Sequence, residues 1–161
     1  MPEKKTIERA RTDRRQGKSP STQAGEFVRE EIHHIREGKH GAASTKQAIA
    51  IGLSKARRAG VHLPAPKKGS ASAATRKSAK RAARKGRSSS RTRPSRTRSK
   101  AIRKVLRREA RAAGSHTALS RQAHRIARSR TAADRSRSAR KAARTRARTH
   151  SRSGRKAAAR R

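Results

Sequence analysis

Ser44-Thr45-Lys46-Gln47-Ala48-Ile49-Ala50-Ile51-Gly52-Leu53-Ser54-Lys55-Ala56-Arg57-Arg58-Ala59-Gly60 is the stretch that decides the fold. Ser44 and Gln47 form an S-x-x-Q capping box, and Gly60 stands where a left-handed terminator belongs, so both ends of a helix are written into the chain. Ile49, Leu53 and Ala56 line one face, with Ala48 and Gly52 beside them. Gly52 costs about 1 kcal/mol of helix propensity against Ala, and in return it lets a partner backbone come close.

The partner lies just upstream. Ala24, Val28, Ile32 and Ile35 recur at helical spacing with Phe27 alongside, Ser19 or Ser21 can cap their N-terminal end, and Gly38 supplies the stop. The two helices are expected to form an antiparallel hairpin joined by residues 38–43. Further out, residues 2–16 mix acids and bases at helical spacings but offer little apolar anchor besides Ile7, which predicts a frayed, solvated helix. On the other side Val61 can fold back on the last turn, and Leu63-Pro64-Ala65-Pro66 ends the unit, giving a small helical domain at 1–66.

Beyond it the composition changes. Of 16 Ile, Leu, Val, Phe and Met residues, 11 fall in 1–63, which leaves five for the remaining 98 residues. Residues 67–98 have no large apolar side chain and read as an extended basic linker in which nothing can pack. Residues 99–130 regain periodicity: Ile102, Val105, Leu106 and Ala110 line one short helix, and Leu119, Ala123, Ile126 and Ala127 line another. The pair is expected to be a marginal second hairpin that forms once phosphates relieve its charge. Residues 131–161 read as an Arg/Ala/Ser tail. The fold class is mostly α, a helical hairpin domain followed by a long disordered basic tail.

The pattern Lys46 to Ile51 followed by Ala56-Arg57-Arg58-Ala59-Gly60, preceded by Glu30 to Gly41, resembles a small bacterial domain family of unknown function, over residues 1–66. That resemblance implies a bacterial source and carries no activity with it. The basic half is similar in composition to linker-histone-like bacterial nucleoid proteins, which implies DNA as the class of partner.

Charge gives the same direction. The chain carries 49 Lys+Arg against 9 Asp+Glu, a formal +40, of which residues 1–63 hold +7 and residues 64–161 hold +33. Few compact enzymes tolerate that balance. The chain also has no Cys, no Gly-x-Ser-x-Gly elbow and no phosphate loop, so no catalytic site and no cofactor is expected. Such a chain seeks a polyanion, because each neutralised phosphate releases condensed counterions. Arg outnumbers Lys 34 to 15, and its bidentate fork suits phosphates and narrow minor grooves.

Phosphate contacts are expected from Lys46, Lys55, Arg57 and Arg58 in the 44–60 helix, and from Lys67, Lys68, Arg76, Lys77, Lys80, Arg81, Arg84, Lys85, Arg87, Arg91, Arg93, Arg96 and Arg98 in the linker. Arg103, Lys104, Arg107, Arg108, Arg111, Arg121, Arg125 and Arg128 are expected to add to them from the helical pair, and Arg140, Lys141, Arg144, Arg146 and Arg148 from the tail. The expected function is sequence-nonspecific, histone-like DNA binding in the cytoplasm, at the nucleoid. The tail would give affinity, and the N-terminal hairpin self-association or a partner contact.

Two alternatives stay open. One is an RNA- or ribosome-associated protein, weakened by an aromatic complement of a single Phe. The other is a sequence-reading regulator that inserts helix 45–59 in the major groove. Glu30 with His34 and His33 with Glu37 sit at i, i+4, but without Cys or a zincin pattern they read as helix-supporting pairs and not as metal ligands. The apolar runs are too short for a membrane span.

Overall fold

The computed structural model describes residues 2–88 and 95–158, with side chains as far as His150, Thr149 excepted. Among the described residues the chain is mostly helical and has no strand: α1 (Lys4–Arg15), α2 (Pro20–Arg36), α3 (Thr45–Arg58), α4 (Ala73–Arg87), α5 (Arg96–Arg108), a 3₁₀ turn (Arg111–Gly114), α6 (His116–Ser129) and α7 (Ala132–Ala158). No described helix is long and apolar enough to cross a membrane.

The hairpin of α2 and α3 forms as its end signals predict. Ser19 accepts from the Thr22 amide with Pro20 opening the helix, and Ser44 accepts from the Gln47 amide. Gln47 returns its carbonyl oxygen to the Ala43 amide at 2.7 Å, one residue outside the usual box. Gly38 (φ 76°) and Gly60 (φ 90°) end α2 and α3 in the left-handed region. At the crossing, a Cβ on Gly52 would stand 2.7 Å from the Val28 Cα, which is the close approach that the glycine permits.

Two apolar clusters flank this crossing. Ala10, Ala24, Phe27 and Ala56 are buried together, with Ile7, Leu53, Val61 and Leu63 against them. Ile32, Ile35, Ala42 and Ala48 form the other, which Ala113 and Leu119 complete from far along the chain.

Three expectations need correction. First, α1 is a regular helix packed on α2, with Thr6, Ala10 and Asp13 buried; it docks through small side chains, so Ile7 does not have to anchor it alone. Second, residues 67–98 include α4, which is capped by Ser72 and packs on α3 with Ala79 and Ala82 buried. Large apolar groups are unnecessary there because the backbones come close: a Cβ on Gly86 would collide with the Arg57 carbonyl oxygen.

Third, α5 and α6 do not pair with each other. The turn at 111–114 and the start of α6 instead dock on the hairpin, where Thr45 Oγ1 donates to the Ala113 carbonyl at 2.9 Å and Arg36 Nε donates to that of Gly114 at 2.8 Å. Ile102 and Val105 on α5 are left 60% and 56% exposed. The core therefore continues beyond the Pro64–Pro66 boundary. α7, capped by Thr131 through the Asp134 amide, touches no other described element, as a segment without large apolar side chains should.

Gly86→Ala separates local from tertiary effects. Alanine favours an isolated helix by about 1 kcal/mol, whereas overpacking against α3 costs about 1–3 kcal/mol. Hydrogen exchange in α4 is expected to speed up while α2 stays protected. Slower exchange in α4 would show that the Gly86–Arg57 approach does not hold the helix.

Candidate nucleic-acid interface

The N-terminal unit uses its own acids. Asp13 takes Lys18 at 2.7 Å, Glu26 takes Arg29 at 3.4 Å, and Glu37 takes Lys39 and His33, both at 2.9 Å. Glu3 takes His34 Nε2 at 2.8 Å, while Glu30 and Glu31 share the Lys55 ammonium at 3.5 and 2.5 Å. These pairs leave few carboxylates free to offset the cations around them. Of the paired arrangements expected from spacing, His33 with Glu37 is formed; Glu30 instead binds Lys55 and the Glu3 amide.

Two expected phosphate ligands are thereby withdrawn from the surface. Lys55 faces buried Glu30 and Glu31, and Arg57 is only 7% exposed, with Nε donating to the Leu63 carbonyl at 3.3 Å and Nη2 to that of Pro64 at 3.0 Å. Burial pushes the Arg57 guanidinium down from its ordinary value, yet arginine stays charged in proteins. Both residues serve the fold: Lys55 offsets one charge of the buried pair Glu30 and Glu31, and Arg57 clamps the 61–64 strap onto the end of α3. A helical periodicity cannot distinguish such inward cations from outward ones, because long side chains reach around a helix.

The remaining expected ligands divide by element. Lys46 is exposed on α3, as is Arg58, whose Nη2 bonds Ser54 Oγ at 2.8 Å. Lys67 and Lys68 are exposed, and Arg76 is half-buried with Nε unpartnered. On α4, Lys77, Lys80, Arg81, Arg84, Lys85 and Arg87 face solvent. Lys80, Arg84 and Arg87, at i, i+4 and i+7, form one wall of a groove whose other wall is Val61, His62, Leu63 and Pro64. This basic-walled groove exists only because α4 docks, so the sequence reading had no means to find it.

Arg91 and Arg93 lie outside the described residues. Arg96, Arg98, Arg103, Lys104, Arg107 and Arg108 are exposed on α5, and Arg121, Arg125 and Arg128 on α6. Arg111 is exposed in the 3₁₀ turn, with its guanidinium against Gly38. Arg140, Lys141, Arg144, Arg146 and Arg148 are spread along α7. Beyond residue 63 the acids are Glu109 and Asp134, and Asp134 is already held by Arg137 at 2.7 Å. Hydrogen bonds from Thr131 and Arg137 keep its carboxyl below the ordinary aspartate value.

The ion pairs also give a pH response. His34 holds the Glu3 carboxyl, and Lys39 the Glu37 carboxyl, below the ordinary glutamate value of 4.5, while Glu37 raises Lys39 above 10.5. A depressed carboxylate stabilises the fold fully above its unfolded value and loses that contribution as pH falls through the folded one; a raised lysine loses its contribution as pH climbs past its folded value. Acidification from about pH 5 to about pH 3 should therefore loosen the N-terminus and residues 37–40 before the helices. Amide exchange at Ile7 and Lys39 is the measurement, and uniform loosening would contradict it.

His34 and His40 meet edge to face, with ring centroids 6.1 Å apart. Together with Glu31 they bring three donor atoms within 4.8 Å of one another. Residue spacing paired His34 with Glu30 and missed this group, because His40 joins it from the loop after α2.

No curated protein and no solved structure matches this chain. Residues 3–68, which span α1 to α3 and the strap that Arg57 clamps, match a family of unknown function (DUF6496).

Proposed function

We propose that the protein binds duplex DNA without reading bases, neutralising and bridging it through the cationic helices α4 to α7 as a histone-like nucleoid protein. One observation carries this reading: residues 64–161 hold a net +33, arrayed mainly on exposed helix faces. Phosphate neutralisation on that scale gives strong, salt-sensitive and sequence-tolerant binding.

The arrangement of α3 argues against a base-reading role. A recognition helix enters the major groove with its N-terminal residues, whereas α3 packs on α2, α4, the 3₁₀ turn and α6 and presents only a narrow stripe of Lys46, Ala50 and Arg58. Thr45 at its N-terminal end is buried on Ala113. Self-association through the hairpin has less apolar surface to use, since Phe27, Ile32 and Ile35 are buried within the chain and Ile49 and Ile51 are half-buried. Bridging instead rests on the spread of cations over several helices, each able to engage a different duplex segment.

The test is a titration of the full-length chain against random-sequence duplexes and a structured RNA over a range of salt. The expected result is tighter binding to duplex DNA, with affinities that vary little among sequences. Preference for the RNA would move the protein to the RNA-associated class. Strong selection of one duplex would establish a reader.

A further inference from the structure

We propose that Glu31, His34 and His40 form a binding site for a divalent transition-metal ion of the zinc class, independent of the nucleic-acid surface. The His40 tautomer is set by its own loop. Nδ1 lies 3.0 Å from the Gly41 carbonyl oxygen, which can only accept, so Nδ1 carries the proton. In the neutral ring Nε2 then bears a lone pair, and it points at Glu31 Oε1, another acceptor, 3.1 Å away. Two facing acceptors need a positive species between them, either a second ring proton or a metal ion.

The third donor favours the metal. A proton bridge occupies two groups, whereas here His34 also converges, and the three donor atoms lie within 4.8 Å of one another. Bonds of 2.0–2.1 Å in tetrahedral geometry require donor separations of about 3.3 Å; the Glu31–His40 edge is close to that, and binding draws the His34 ring inward. Glu31 is 1% exposed, and its other oxygen faces the Lys55 ammonium at 2.5 Å without a hydrogen-bond alignment, which leaves Oε1 as the ligand atom. Glu3 contacts His34 Nε2 at 2.8 Å, the carboxylate–imidazole contact that orients ligand rings in metal centres.

Charge balances as well. Glu3, Glu30, Glu31 and Glu37 supply four negative charges, which Lys39, Lys55 and a divalent ion together cancel. Two imidazoles and one carboxylate without thiolate suit zinc and its borderline neighbours more than calcium or magnesium. The consequence would reach beyond the site. His40 belongs to the loop whose Gly41 and Ala42 amides bond the Leu106 and Ala110 carbonyls at 2.8 and 3.2 Å, so an ion would fix the seat of α5.

The test is titration of chelator-treated full-length protein with Zn²⁺ alone by calorimetry, and with Co²⁺ followed by its visible ligand-field absorption. One equivalent is expected to bind. His40→Asn and His34→Asn are each expected to weaken it by at least about 10-fold, the lower end of what losing even an outer-shell partner costs. His33→Asn and His62→Asn, which alter histidines outside the group, should leave it unchanged. Circular dichroism shows that each variant is folded, and His34→Asn stands in if His40→Asn is not. Absence of saturable one-to-one uptake overturns the proposal, as does uptake that both His34→Asn and His40→Asn leave intact; a proton then occupies the position between His40 and Glu31.

Discussion

Full-length protein is expected to lose about three to five orders of magnitude of affinity for duplex DNA between roughly 50 and 200 mM salt, as a ligand making about six to ten phosphate contacts would. The loss follows from ion release, so it can be assigned to particular residues. Changing Arg103, Lys104, Arg107 and Arg108 on α5 to glutamine removes four exposed cations, and should reduce the log–log slope by up to about 3.6, at roughly 0.9 per contact. Lys55→Met should leave the slope unchanged in protein that remains folded, because that ammonium faces Glu30 and Glu31 and not solvent. A slope indifferent to the α5 charges would mean that DNA lies elsewhere, with the groove beside α4 as the next place to test.

Phe27→Ala should unfold the N-terminal unit at ordinary temperature. Phe27 is 1% exposed at the centre of the cluster with Ala10, Ala24 and Ala56, and truncating a buried phenylalanine costs about 3–5 kcal/mol. Small domains have only a few kcal/mol to lose. The alanines beside it cannot move in to fill the space. Val105→Ala on the exposed side of α5 should change stability by less than about 0.5 kcal/mol. Thermal unfolding followed by circular dichroism measures both, and a Phe27→Ala protein that melts like the parent would contradict the packing described for α1 to α3. Its affinity for duplex DNA should outlast the loss of fold, since the cations proposed to bind phosphate lie outside that cluster.

The contrast between these two predictions shows which parts were legible in the sequence. Caps and terminators were, because Ser19, Ser44, Gly38 and Gly60 act through backbone geometry that a few residues determine alone. The α2–α3 seam was legible in part, through Ala56, Ala48 and Gly52, which are buried there; Ile49, expected on the same face, is half-buried and joins neither apolar cluster. What escaped is the packing of small residues. Ala79, Ala82 and Gly86 bring α4 onto α3, and Ala113 and Gly114 close the cluster around Ile35, yet an alanine in a basic, alanine-rich segment looks the same whether buried or exposed. Cations were equally ambiguous: Lys55 and Arg57 share their helix with Lys46 and Arg58, and only the neighbours supplied by α2 and the 61–64 strap turn the first two inward. The exposed bases of α5 and α6 were legible because even the apolar side chains beside them, Ile102, Val105 and Ile126, stay on the surface.

The seating of Ala113, Gly114 and Leu119 on the α2–α3 hairpin also has a consequence for biosynthesis. Chains fold from the N-terminus as they are made, but here Ile32 and Ile35 keep an open side until residue 119 has left the ribosome. The polycation from Lys67 to Arg111 emerges before the residues that complete the core, in close proximity to ribosomal RNA. Synthesis thus poses a race between docking of the 111–119 segment and capture of the nascent chain by RNA, and slowing translation before residue 119 should favour capture.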